Sequence, residues 1–75
     1  MEEERWPLAE VFLSRSVQIE PDDAKTHYLL ARTRLQAGNP AGAKSEIDTA
    51  LQLSPQQREF QELATEIAAK NTTHD

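Results

Sequence analysis

Several features are scarce or missing in this chain of 75 residues, and each absence excludes a class of protein. There is no cysteine, so a disulfide framework and a thiolate metal site are excluded. Small extracellular domains usually carry disulfides, and the acidic N-terminus lacks the basic start of a secretory signal. We therefore expect a reducing, cytoplasmic setting. No apolar run approaches the roughly 20 residues that a membrane-spanning helix needs.

Positive charge is also in short supply, since 13 acidic residues outnumber 8 basic ones and the net charge is -5. A nucleic-acid-binding domain shows a basic footprint, so we expect no nucleic-acid partner. The amphipathic segments have mixed or acidic polar faces rather than basic ones, which also argues against binding to a membrane surface.

Motifs that support catalysis or ligand binding are missing as well. The two glycines, Gly38 and Gly42, do not form a phosphate-binding loop. Neither His27 nor His74 has a second histidine at metal-ligand spacing, and the serines lack the sequence context of a nucleophile with its base. We therefore expect a protein without catalytic residues, cofactor or bound metal.

The acidic residues have ordinary structural interpretations. Asp22 and Asp23 follow Pro21, where negative charge complements the dipole at the start of a helix. Metal binding there would require more oxygen ligands. We interpret three acids on the predicted helices as solvated charges or as partners of a basic residue four positions away, with Lys44 and Asp48 as one candidate pair. These acids are Glu10, Glu46 and Asp48.

Apolar residues recur at intervals of three and four along most of the chain, which predicts amphipathic helices. Prolines and a glycine divide this pattern into four helices of an all-α domain. The predicted helices cover about 7–20, 22–37, 40–53 and 55–70, within a domain of residues 6–70 that lies between a flexible N-terminus at 1–5 and a disordered tail at 71–75.

The signals at the helix ends are specific. Gly38 adopts left-handed backbone angles without strain, and so predicts the end of the second helix. Asn39 is a good N-cap and Pro40 a good first residue for the third helix. Ser54 and Gln57, separated by a proline and a glutamine, have the form of a capping box that opens the fourth helix.

The chain also contains an internal repeat. When it is shifted so that Ala9 falls on Ala43, it overlays itself over a whole helix and the turn that follows. A fixed period of this length, about 34 residues, is the signature of a helical repeat protein. The overlaid pairs are Ala9 with Ala43, Leu13 with Ile47, Ser16 with Ala50, Val17 with Leu51, Ile19 with Leu53, and Pro21 with Pro55.

A helix–turn–helix unit of this period resembles the tetratricopeptide repeat (TPR) family, with residues 24–57 as one full repeat between two partial ones. The matching residues are Leu30, Ala31, Ala43, Ile47 and Pro55, with the Gly38 turn and Ala50 also in place. His27 and Arg34 stand where the family usually has aromatic residues, which suggests a looser junction with whatever lies before the second helix. The resemblance implies an antiparallel helix-turn-helix stack of about four helices, a fragment of a right-handed superhelix.

The resemblance also implies where a partner binds, since the first helix of each pair lines the concave groove in such arrays. Spacings of i, i+3, i+7 and i+11 on the second predicted helix place four polar or aromatic residues on one face. They are Lys25, Tyr28, Arg32 and Gln36. Two cations beside a tyrosine suit a carboxylate or an acidic peptide. The alternative interpretation is an ordinary solvated helix face.

The first predicted helix lacks the helix that would precede it in a stack, so its large apolar residues should be partly exposed in a lone monomer. Either the chain is the C-terminal piece of a longer array, or this helix pairs with a symmetry mate in a homodimer. The residues available for self-association are Trp6, Leu8, Phe12 and Leu13.

The functional hypothesis is a non-catalytic module that binds a protein or peptide along the second helix or through the first. Two alternatives stay open. The chain could be a structural C-terminal cap of a longer repeat array, or an accessory domain of a larger enzyme or of a secretion or assembly protein. Fold alone does not choose among them.

Overall fold

A computed structural model describes the backbone of residues 5–71 and the side chains of residues 8–71. Four helices follow one another as α1 (Arg5–Ile19), α2 (Ala24–Gln36), α3 (Pro40–Leu53) and α4 (Arg58–Asn71). Short connections make consecutive helices antiparallel. Helix α2 packs between α1 and α3, and α4 packs against α3 and reaches α2. The all-α helical-repeat architecture expected from the sequence is confirmed.

The segments that contain Pro21 and Pro55 are turns rather than first helical turns. Helix α2 begins at Ala24, two residues later than the sequence predicts, because the N–H of Asp23 donates to the carbonyl of Glu20 at 3.2 Å. The same turn recurs one repeat later, where the N–H of Gln57 donates to the Ser54 carbonyl at 3.4 Å. Helix α4 therefore begins at Arg58, and the predicted capping box at Ser54 is replaced by this turn.

The internal repeat extends to side-chain hydrogen bonds. His27 Nε2 lies 2.8 Å from the carbonyl oxygen of Pro21. Gln61, the residue that the repeat overlays on His27, donates from Nε2 to the carbonyl of Pro55, also at 2.8 Å. Each bond ties the second turn of a helix to the proline turn before it, so the two turns have the same polar anchor despite different side chains.

The connection between α2 and α3 forms as the sequence predicts. Gly38 has a φ of 88°, a conformation that side-chain-bearing residues adopt only with strain. Asn39 caps α3 by accepting a hydrogen bond on its side chain from the N–H of Gly42 at 3.1 Å, and Pro40 is the first helical residue. The side chain of Asn71 donates to the Pro40 carbonyl at 3.3 Å and so links the end of α4 to this turn.

The apolar core lies between α2, α3 and α4. Its largest fully buried side chains are Leu30, Ile47, Phe60 and Ile67. Burying one such side chain stabilises the fold by about 1.5–3 kcal/mol, so these four supply a large part of the hydrophobic stabilisation. None of the described side chains of α1 is buried to this degree, and Leu8, Phe12 and Ile19 are 75%, 72% and 72% exposed. Helix α1 is therefore an open edge of the stack.

Candidate functional site

Two of the four predicted site residues on α2 are fixed against each other. The ring of Tyr28 stacks on that of Phe60 with centroids 4.9 Å apart and an interplanar angle of 26°. The guanidinium carbon of Arg32 lies 5.9 Å from the centre of the Tyr28 ring, within the range of a cation–π contact. Because Phe60 is buried, it gives the Tyr28 ring a fixed surface to pack on, and Arg32 lies over that ring.

The other two predicted residues lie on either side of this pair. Gln36 is exposed and borders, together with Arg32, a shallow depression of about 260 Å³ between α1 and α2. Lys25 is exposed near the start of α2, one turn before Tyr28. Arg32 thus borders two depressions, one shared with Gln36 and one shared with Tyr28, while Lys25 lines neither.

Acidic residues of α4 lie beside Tyr28 and Arg32, and the sequence-based interpretation missed them. A depression of about 320 Å³ lies between α2 and α4, and we call it the α2–α4 groove. It is lined by Tyr28, Arg32, Glu59, Glu62, Leu63 and Glu66. One cation, Arg32, on the α2 wall therefore faces carboxylates on the α4 wall, so a bound segment would meet both signs of charge.

The repeat itself contained the signal for this acidic wall. Shifting Lys25, Tyr28 and Arg32 by one repeat gives Glu59, Glu62 and Glu66. The helix face that is basic and aromatic in one repeat is therefore acidic in the next. Stacked repeats present equivalent positions on the same side, so the basic face of α2 and the acidic face of α4 lie next to each other.

An ionic network joins α1, α2 and α3. Arg34 donates from Nε to Glu10 and from Nη1 to Glu46, each at 3.2 Å. His27 Nδ1 lies 2.8 Å from the other carboxylate oxygen of Glu46. The interpretation of Glu10 and Glu46 as solvated charges or short-range partners was wrong, because their partners are 24, 12 and 19 residues away. The two positions that depart from the family's aromatics thus share one carboxylate, and Arg34 bridges α1 to α3.

His27 is 8% exposed and meets an acceptor at each ring nitrogen. The Pro21 carbonyl can only accept, so Nε2 carries a hydrogen. Nδ1 faces the Glu46 carboxylate, so both ring nitrogens have a polar partner. The His27 ring therefore has a structural role, because it links the turn at Pro21 to Glu46 of α3.

Of the two acidic residues before α2, Asp23 occupies the N-cap position. The hydroxyl of Thr26 donates to the Asp23 carboxylate at 2.9 Å, and this hydrogen bond lowers the pKa of Asp23 below its ordinary value of 3.8. Lys44 and Asp48 form the predicted exposed pair at 2.9 Å. Among residues 5–71, no three metal-ligating side chains converge, and none of the four helices is long and apolar enough to cross a membrane.

The residues predicted for self-association lie along α1. Leu8 and Phe12 are largely exposed, and Leu13 is half-buried. The side chain of Trp6 lies outside the part of the chain whose side chains are described. The exposed fraction of Leu8 and Phe12 leaves an apolar strip on this open edge of the stack.

Antiparallel helices that recur with a fixed period, with small residues at the helix contacts, define a helical-repeat protein. A family model described as "Tetratricopeptide repeat" matches residues 1–67, so the chain belongs to that family. Membership indicates a protein-interaction module in general terms. No curated protein and no solved structure matches the chain significantly.

Proposed function

We propose that this protein is a non-catalytic interaction module that binds a short extended segment of a partner protein in the α2–α4 groove. The observation that supports this most is the two-signed lining around Tyr28, with Arg32 on one wall and Glu62 and Glu66 on the other. The absence of catalysis rests on the family, whose repeats are typically interaction modules.

The chemistry of the groove favours a segment of mixed charge. Arg32 offers a planar fork that suits a carboxylate of the partner, and exposed Lys25 adds a second cation on the same helix. Glu62 and Glu66 would pair with a lysine or arginine of the same segment. The acidic partner expected from α2 alone is thereby refined to one with an acidic residue near α2 and a basic residue near α4.

Tyr28 provides an aromatic surface on which the bound segment can pack. Its ring is half-buried against Phe60, so one part of it stays accessible and loses little side-chain freedom on binding. Such a rigid aromatic surface favours binding, because little side-chain entropy is lost when a segment packs on it. The charged residues then set direction and selectivity rather than most of the affinity.

The test is an NMR titration with short unstructured peptides that contain one aspartate and one arginine. Amide shifts should concentrate at Tyr28, Arg32 and Glu62. Peptides with two aspartates or two arginines serve as controls and should bind more weakly, since one wall then repels them. Shifts spread evenly over the four helices, or none at Tyr28 and Arg32, would overturn the proposal.

A further inference from the structure

The internal repeat assigns a role to each helix. Shifting the chain by its period places α1 on α3 and α2 on α4. Helices α2 and α3 form a complete pair of a first and a second helix. Among residues 5–71, α1 therefore occupies the place of a second helix and α4 that of a first helix. The α2–α3 pair shows which positions a completed contact buries.

On α1 those positions are uncovered. In α3, Ile47 is 1% exposed, and Ala43 and Ala50 are fully buried. Their counterparts in α1 are only half-buried: Leu13, Ala9 and Ser16. Phe12 differs as well, since it is 72% exposed whereas its counterpart Glu46 is half-buried.

The matching positions on α4 are uncovered too. Leu30 and Ala31 of α2 are fully buried, whereas their counterparts Ala64 and Thr65 are half-buried and exposed. These two α4 side chains are small. A first helix with a small-residue face can accept a bulky ring on the second helix that packs against it.

The chemistry of the two half-contacts is complementary. Where the chain pairs α2 with α3, His27, Arg34 and Glu46 form the ionic contact. The counterparts of these three are Gln61, Ala68 and Phe12. Phe12 would be out of place beside His27 and Arg34 of α2, whereas Gln61 and Ala68 of α4 carry no charge that it would leave unpaired. In addition, α1 contains two arginines and one glutamate, whereas α4 contains three glutamates and two basic residues, so their net charges are opposite.

We propose that α4 of one copy packs against α1 of a second copy and completes a repeat across the boundary between them. Phe12 of the second copy then lies against Gln61 and Ala68 of the first, beside the uncovered Ala64 and Thr65. The contact is head-to-tail, so each copy keeps one open end and growth continues past the dimer unless a ring closes. This interface is separate from the α2–α4 groove and does not depend on the function proposed for it.

Two variants block opposite ends of the same contact. Phe12→Lys puts a charge on the α1 side and leaves α4 intact, and Thr65→Arg does the reverse. Both residues are exposed, so the fold should persist, which circular dichroism checks. Val11→Lys is the control, because Val11 is 64% exposed and its counterpart Ser45 stays exposed in the complete pair.

Sedimentation velocity over a concentration series gives the outcome. The wild type and Val11→Lys should show a mass that rises with concentration past the dimer or ends in a closed ring. Each blocked variant should be monomeric alone, and an equimolar mixture of the two should form a dimer that does not grow. A monomeric wild type at all concentrations, or a mixture that stays monomeric, overturns the proposal. A Thr65→Arg variant that dimerises by itself also overturns it, since that result indicates a symmetric α1 contact.

Discussion

Arg34 Nη1 lies 3.2 Å from Glu46 Oε2, and this contact is the centre of an ionic network that joins three of the four helices. Arg34 also binds Glu10, and Glu46 also binds His27. The side chains of His27, Arg34 and Glu46 are 10%, 21% and 17% exposed, so solvent screens their contacts less than those of a surface pair.

Removing Glu46 should therefore cost more than removing an exposed acid. Glu46→Ala leaves His27 and Arg34 without their shared carboxylate, and we expect a loss of about 1–3 kcal/mol in the free energy of unfolding. Asp48→Ala on the same helix breaks only the exposed pair with Lys44 and should cost about 0.5 kcal/mol or less. Urea denaturation compares the two, and equal losses would contradict the structural role of the network.

The turn before α3 should tolerate only some substitutions at Gly38. An added Cβ there meets no atom within 4 Å, so the cost of Gly38→Ala comes from its φ of 88° alone. We expect a loss of about 1–2 kcal/mol. Gly38→Asn should lose less, because asparagine adopts left-handed angles more readily. Thermal melts of both variants check this order, and an alanine variant as stable as the wild type would contradict it.

Asp23 should make folding stability depend on pH in the acid range. Its pKa is lowered in the folded state by the Thr26 hydroxyl, so the unfolded chain binds the proton more tightly. The stabilising effect is complete above the unfolded pKa of 3.8 and is lost as the pH falls through the lower folded value. Asp23→Asn removes this titration, so the stability difference between the wild type and the variant should shrink on acidification below pH ~4. Denaturation at several pH values measures it, and a difference that stays constant would refute the assignment.

Local chemistry explains which parts of the fold could be predicted. Gly38, Asn39 and Pro40 each satisfy a backbone requirement of the turn they form, so the junction of α2 and α3 was readable from sequence. Pro21 and Pro55 were ambiguous, because proline suits both a turn and a first helical turn. The hydrogen bond of each turn decides between them, and it involves only backbone atoms that any residue supplies.

The candidate site was predictable only in part. The face of Lys25, Tyr28 and Arg32 follows from helical spacing, which is local. The acidic face of α4 can be predicted only when the repeat shift is applied to charged residues as well as to apolar ones. The contacts of Glu10 and Glu46 join residues far apart in sequence, and no helical spacing predicts them.

The central claim, that the α2–α4 groove binds a partner segment, is tested most directly by calorimetry with the mixed-charge peptide. Arg32→Gln removes the cation beside Tyr28 without touching the core, and the matched control Lys44→Gln removes an exposed lysine from α3. A charge-assisted hydrogen bond is worth about 1.5–3 kcal/mol, so Arg32→Gln should weaken binding by roughly tenfold or more. Lys44→Gln should leave the affinity unchanged. Equal affinities for the wild type and both variants would contradict binding in the groove.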